Sequence, residues 1–421
     1  MRILIATAHR NLVGGVEKYL QAICPRLQER GHILGLLHEY EVTPGRETID
    51  PAQGFARIWL PAKADTKSIL RAIAEWRPDI IYYHGFDRTE SLALEDALLS
   101  AYPVALYVHN YDRTCGTGQK CYMSPQPKIC DRQIGPMCLL LHYPRRCGGL
   151  HPGVMWRRYR RHVALNARLP QFKAVLVGSA HMHRELENSG ERSGQVHLLP
   201  LPAADEPMQS PPDSRSTTGQ ILYVGRLTRL KGVDYVIRAI PAAAKELGRK
   251  LSVVVAGDGP ERQTLGVLAD RLGVAVDFKG WVETGTKLDL MRQAELLAVP
   301  SLWPEPFGLV GLEAGGVGLP AVGFATGGIP DWLIPRETGE LAPSPPTVQG
   351  LTEAIVRALA SAEHYRRLCT GAWNLTRKFS VNRHVDQLET LLGSLCLRQS
   401  DIQSGPVVAG EAICDGDAVS R

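Results

Sequence analysis

From its first residues the chain alternates short apolar runs with helix-period patterns, and this alternation restricts the fold more than any other feature. Apolar runs at the start (Arg2 to Ala6), Ile33 to His38, Ile80 to Tyr83, Val104 to Val108, Ala174 to Val177 and Val196 to Leu199 read as strands. In the second half Ile221 to Val224 runs into Gly225, Leu251 to Ala256 into Gly257-Asp258-Gly259-Pro260, and Val276-Asp277-Phe278 into Gly280-Trp281. Strands that alternate with helices predict parallel sheets covered on both faces, an α/β class in which ligands bind beyond the carboxyl ends of the strands. Between the first two strands, Val16, Tyr19, Leu20, Ile23, Cys24 and Leu27 form a 3.6-period stripe, and Pro25 within it is expected to kink or strain that helix.

A composition change divides the chain. Residues 202–219 are rich in Pro and Ser with few apolar side chains, as expected of a linker. Residues 1–201 then form an N-terminal Rossmann-like domain with a Cys-rich insert at 115–149, and residues 220–379 a second α/β domain. Residues 380–396 are expected to form a terminal helix, with Val381 to Leu392 amphipathic, and 397–421 a disordered tail.

Two loops of the second domain carry chemistry. The strand Ile221 to Val224 enters Gly225-Arg226-Leu227-Thr228-Arg229-Leu230-Lys231-Gly232, after which Val233, Val236, Ile237 and Ile240 mark a helix. Arg226 can fork onto phosphate oxygens and Lys231 adds a compact charge, enough between them to neutralise a diphosphate. In the second loop, Pro300-Ser301-Leu302-Trp303-Pro304-Glu305-Pro306-Phe307-Gly308, the turn residues predict that Gly308-Leu309-Val310 opens a helix whose free N–H groups attract an anion. Glu305 sits in that loop and Glu313 stands eight positions later on the helix. Two carboxylates beside a phosphate site suit a sugar, because they accept hydrogen bonds from paired hydroxyls; taken alone, the pair also reads as solvated helix charge.

These motifs, in this order, resemble the family 4 glycosyltransferases: a Gly-Arg…Lys-Gly loop, a Gly-Asp-Gly-Pro turn, and a Glu with seven residues to a second Glu. Thr326-Gly327-Gly328-Ile329-Pro330 and Thr338-Gly339 extend the match. The first half is similar more loosely, through Gly14-Gly15-Val16-Glu17, Arg30-Gly31-His32 and His109 after the strand Val104 to Val108. Ala314-Gly315-Gly316-Val317-Gly318 is glycine-richer than the family's form, which is expected to loosen that helix by about 1 kcal/mol per glycine, and Asp331 replaces a common Glu.

The resemblance implies the GT-B architecture, two facing Rossmann-like domains around a cleft, with the terminal helix crossing back to the first domain. It implies transfer from a nucleotide-diphosphate sugar to a saccharide or lipid-linked saccharide, with retention at the anomeric carbon and no metal or other cofactor needed for catalysis. Arg226, Lys231, Gly308, Leu309 and Gly15 would hold the donor phosphates and Glu313 the ribose, while Glu305 and His109 serve the sugar. Gly14, His84, Gly257, Trp281, Phe307 and Val310 are expected in the donor and acceptor cleft. A nucleotide-sugar epimerase of the same architecture and a non-catalytic nucleotide-sugar sensor or scaffold subunit remain the alternatives.

Composition agrees with a globular protein of 421 residues, 44% apolar and 22% charged. A net charge of +5 is too small for a general nucleic-acid partner, and no run of 18 apolar residues occurs. The opening run is short and strand-like rather than a secretory signal, so a cytoplasmic location is expected. Two features stay open. Cys115, Cys121, Cys130, Cys138 and Cys147 crowd the insert, and the first four either bind a structural metal such as zinc or are packed thiols in an acceptor-side lid. From Arg132 to Arg184 there is no acid, and Trp156-Arg157-Arg158-Tyr159-Arg160-Arg161-His162 lies within that stretch. It is either a solvated helix face or a surface that rests peripherally on an anionic membrane at its cytoplasmic face.

Overall fold

A computed structural model describes residues 1–60, 65–189, 195–203, 208 and 217–403. The first half contains β1 (Arg2–Thr7), α1 (Gly15–Glu29), β2 (Ile33–His38), β3 (Arg57–Trp59), α2 (Thr66–Trp76), β4 (Ile80–Tyr83), α3 (Leu92–Ala101) and β5 (Val104–Val108). The insert follows, with β6 (Cys121–Tyr122), β7 (Lys128–Ile129) and α4 (Met137–Leu141), and then α5 (Pro152–Arg168), β8 (Ala174–Val177), α6 (Ala180–Glu187) and β9 (Val196–Leu198). Seven strands form a parallel sheet in the order β3-β2-β1-β4-β5-β8-β9, while β6 and β7 pair only with each other, antiparallel. The continuous apolar runs explain this, since every residue of β4, β5 and β8 is buried.

The second half repeats the plan. Its elements are β10 (Gln220–Val224), α7 (Val233–Leu247), β11 (Ser252–Ala256), α8 (Arg262–Leu272), β12 (Val276–Gly280), α9 (Thr284–Gln293), β13 (Leu296–Val299), α10 (Leu309–Gly316), β14 (Ala321–Phe324), β15 (Gly339–Ala342), α11 (Val348–Leu359) and α12 (Ala362–Lys378). Six parallel strands run β12-β11-β10-β13-β14-β15. Strand order reverses between β1 and β4 in the first sheet and between β10 and β13 in the second, and loops leaving such neighbouring strands frame a crevice.

The closing helix α13 (Val381–Gln403) returns to the first domain. Val385, Leu388 and Leu392 are fully buried in one apolar cluster with Leu20, Ile23 and Leu27 of α1. Arg30 meets Asp386 at 2.6 Å and Glu389 at 3.0 Å, and His32 Nε2 reaches Glu389 at 3.0 Å, so Arg30-Gly31-His32 anchors this helix. Its backbone stays helical through 397–403, where the sequence suggested a disordered tail; residues 404–421 lie outside the described residues. So do 204–207 and 209–216 of the expected linker. Met208 between them donates to Gly316 O at 3.0 Å and accepts from Trp373 Nε1 at 2.8 Å.

Two local expectations change. α1 is an unbroken helix through Pro25, because Tyr19, Leu20, Ile23, Cys24 and Leu27 bury a full stripe whose packing outweighs one missing hydrogen bond. The glycines of α10 serve close packing. A Cβ on Gly315 would stand 2.2 Å from Thr376 Oγ1 and one on Gly311 2.2 Å from the Trp332 ring, so α12 and Trp332 occupy the space that larger residues would need. The propensity cost of glycine is met there by helix contact.

Candidate active site

Lys231 and Glu305 come from the loops that leave β10 and β13, the neighbouring strands at the reversal of the second sheet. Their side chains meet at 2.5 Å, and Lys231 Nζ also lies 5.0 Å from the centre of the Trp303 ring. They line a cavity of about 200 Å³ with Gly308, Leu309 and Val310 at the start of α10. Gly308 caps that helix with φ +92°, a conformation that a side chain would strain, so the first N–H groups of α10 stay open toward the cavity. A cation, a carboxylate and a helix N-terminus thus converge where the fold places ligands. Arg226 is exposed on the same Gly-rich loop and, among the described residues, has no ion-pair partner.

The Glu305 loop is clamped from both domains. Gly328 N donates to Glu305 O at 2.7 Å, and Trp332 Nε1 donates to Phe307 O at 2.8 Å. From the first domain, Ser179 Oγ donates to Pro306 O at 2.5 Å, and Asp331 Oδ2 accepts Ala180 N at 2.6 Å. Asp331 therefore bridges the domains at the N-terminus of α6, and burial pushes its carboxyl up from the ordinary range. Phe307, expected in the cleft, is instead 2% exposed in the core beside Phe379. Gly257 packs directly on the Gly-rich loop. Its φ is +156°, and a Cβ there would stand 1.9 Å from Gly225 O, so it lets the β11 loop press closely against the Gly-rich loop.

Beside this cavity a larger cleft of about 910 Å³ is lined by Gly14 and Lys18 of the first domain and by Trp281, Glu283, Lys287 and Glu313 of the second. Trp281 is 75% exposed at its edge. Glu313 is bound at 2.6 Å to Lys287 of α9, and both side chains are almost fully buried. Gly15 faces α10, an added Cβ there meeting Leu309 Cδ1 at 3.9 Å, while Gly14 N donates to Glu17 Oε2 at 2.7 Å.

On the first domain, His84 after β4 and His109 after β5 lie within hydrogen-bond distance, Nδ1 to Nε2, at 2.9 Å. Burial pushes His109 down to about 3, and burial with the neighbouring ring holds His84 well below the ordinary histidine range, so both are neutral. Both line a cavity of about 150 Å³ with Asp87, Asp112 and Arg161. Two of its buried polar atoms, His84 Nε2 and Arg161 Nε, have no hydrogen-bond partner. That combination marks a hydrogen-bonding pocket.

The cysteines of the insert lie near one another, but their sulfurs do not close on a common point. Among the described residues no group of three or more His, Cys, Asp or Glu is arranged to hold a metal ion, and Cys115, Cys121, Cys130, Cys138 and Cys147 are free thiols. Three of the sulfurs have polar contacts of their own: Cys138 with Gln133 O, Cys147 with Leu141 O, and Cys115, which accepts Lys120 N at 3.2 Å. Burial pushes Cys121 up to about 11 and Cys147 to about 12, which keeps both protonated. Cys121 instead packs on Leu302 O across the domain boundary, so the insert leans on the Glu305 loop, and Tyr111 just before the insert meets Trp303 edge-on. Lys120, 1% exposed, pins it through Glu185 and Arg132 O.

Sequence reasoning missed Lys287 and Arg161. Lys287 sits in α9 among polar residues with no sign that it turns inward, and Arg161 is one of several arginines in its run.

The chain matches two family models, "Glycosyl transferase 4-like domain" over residues 14–202 and "Glycosyl transferases group 1" over residues 206–372. It is 38% identical over 133 residues to an uncharacterized glycosyltransferase of Methanocaldococcus jannaschii, covering 29% of this chain and 33% of that one. To a D-inositol 3-phosphate glycosyltransferase of Corynebacterium aurimucosum it is 28% identical over 236 residues, 52% of this chain and 56% of the relative. The chain thus spans between about a third and just over half the length of these curated relatives. Among solved structures, Anabaena HepE in complex with UDP superposes with a TM-score of 0.64 at 18% identity, over 94% of this chain and 100% of that one. WaaG, a glycosyltransferase involved in lipopolysaccharide biosynthesis, gives 0.59 at 17% identity, over 96% and 100%. With both halves matched in order and the two-sheet architecture shared, the chain belongs to the group 1, family 4 glycosyltransferases of GT-B fold.

Proposed function

We propose that this glycosyltransferase takes a sugar from a nucleoside-diphosphate sugar seated between the Gly-rich loop and α10. It passes the sugar, with retention at the anomeric carbon, to a saccharide or lipid-linked saccharide in surface polysaccharide or glycoconjugate synthesis. The observation that carries this reading is the Lys231–Glu305 pair at the mouth of α10. In the bound state Lys231, Arg226 and the open N–H groups of α10 neutralise the diphosphate, where negative charge develops as the bond to the anomeric carbon breaks. The positive charge that offsets it comes from the protein's own cations and helix end, so the step runs without a metal. Glu305, released from Lys231, accepts hydrogen bonds from the sugar hydroxyls, and Glu313 those of the ribose. The acceptor oxygen forms the new bond and its proton passes to the departing diphosphate.

His109, neutral at physiological pH, offers the sugar a hydrogen bond rather than a charge, and His84 Nε2 with Arg161 faces the acceptor. HepE was crystallised with UDP, which makes UDP-sugars the first donors to test. Among the described residues no helix is long and apolar enough to cross a membrane, and the acid-free segment from Arg132 to Arg184 supports peripheral attachment at a cytoplasmic membrane face. Product analysis with UDP-sugars tests the reading. Free UDP with a glycosylated acceptor is the expected result; isomerised donor would mean an epimerase, and binding without turnover a sensor.

A further inference from the structure

Seven of the sixteen exposed large apolar side chains among the described residues fall between Met137 and Val163, which makes this segment an unusual surface. Leu140 is 69% exposed, Leu150 74% and Trp156 49%. Arg145, Arg146, Arg157, Arg158 and Arg160 are exposed among them, with no acid in the stretch. The reason is visible in α5. Met155, Tyr159, His162 and Asn166 fall at helical spacing and turn inward, whereas Trp156, Arg160 and Val163 turn outward.

We propose that the face built by α4, the 142–151 loop and the first half of α5 seats this protein on an anionic lipid bilayer. Leu140, Leu150 and Trp156 enter the boundary between headgroups and acyl chains, and the arginines meet lipid phosphates. Tryptophan suits that depth, with an apolar body and one N–H. A second copy of the chain fits poorly, because a two-fold contact would set five arginines against five with no acid to meet them. Arg161, at the acceptor pocket, follows Trp156 by five residues, about 7.5 Å along the helix. The bilayer would therefore lie close to the pocket, within reach of a saccharide carried on a lipid. This deepens the peripheral reading given above and rests on it, but not on glycosyl transfer.

Flotation of the full chain with vesicles of phosphatidylcholine, alone or mixed with phosphatidylglycerol, tests the proposal. The chain is expected to float with the mixed vesicles only, and less so as salt rises. Replacing Arg157, Arg158 and Arg160 together by Gln should lower partition on the order of 100-fold. L140S/L150S/W156S should lower it at least about tenfold. Both variants alter exposed positions and should keep the circular dichroism of the wild type and its affinity for UDP, so failure here is separable from failure of the transferase reading. The proposal is overturned if the wild type ignores mixed vesicles, floats equally with neutral ones, or is matched by either variant. It is also overturned if L140S/L150S/W156S dissolves a stable dimer, or if a short RNA displaces the chain from vesicles through Leu140 and Trp156.

Discussion

Replacing Lys287 by Met should destabilise the second domain by about 3–5 kcal/mol, the cost of leaving one member of a buried ion pair without its partner. The figure follows from geometry. Lys287 Nζ and Glu313 Oε1 are 2.6 Å apart and their side chains 6% and 8% exposed, so the carboxylate left behind would be poorly solvated at the wall of the cleft. Replacing both residues, K287M/E313L, removes the charge as well as its partner and should recover most of the loss, since an apolar pair of similar volume is often neutral or better. Urea unfolding of wild type, K287M, E313L and the double variant at neutral pH gives the coupling directly. K287R, which keeps the charge, should fall between wild type and K287M. A K287M unfolding free energy within about 1 kcal/mol of wild type would refute the argument, as would a double variant that loses the sum of the single losses.

Three further outcomes are expected. Glu305→Gln should lower kcat/KM by on the order of 100-fold, since charged hydrogen bonds to hydroxyls contribute about 1.5–3 kcal/mol each, while UDP binding measured by calorimetry stays close to wild type. Gly315→Val, which forces atoms into the space of Thr376 Oγ1, should cost about 1–3 kcal/mol in unfolding experiments, whereas an unstable α10 would be strengthened by the same change. Acid should weaken the fold through His384, whose ring is buried against Tyr19 and Pro200 O and pushed down to about 4. Because its folded pKa lies below the unfolded value near 6.5, the unfolded chain binds the extra proton. The stability is therefore complete above about pH 6.5 and is lost as pH falls toward 4. At pH 5 the loss is about 2 kcal/mol, and in His384→Gln the decline from pH 7 to 5 should be shallower by that amount.

The second domain was largely legible in the sequence because its chemistry is local. Gly225 to Gly232 and Pro300 to Gly308 each hold their own strand end, turn residues and functional side chains within a single loop, so the Lys231–Glu305 meeting needed only the knowledge that β10 and β13 are neighbours. Several strands of the first sheet, such as β2, β4, β5 and β8, could be read residue for residue from their apolar runs, whereas β3 (Arg57–Trp59) could not, being three residues long with two exposed. Features that depend on contacts distant in the chain were hidden. Phe307 looks like a ligand-facing aromatic until Phe379 and the core close over it, and Lys287 looks solvated until α9 packs on α10. In the insert, Cys138 and Cys147 contact Gln133 O and Leu141 O, which spacing alone does not reveal.

Calorimetric titration of UDP, GDP, ADP and TDP into wild type and Arg226→Ala tests the donor site most directly. One diphosphate should bind the wild type, and the variant should weaken it by roughly 10- to 150-fold, as expected for a charged hydrogen-bonding partner of phosphate. Folded protein that binds none of the four, or an Arg226→Ala variant that binds as the wild type does, would contradict the account.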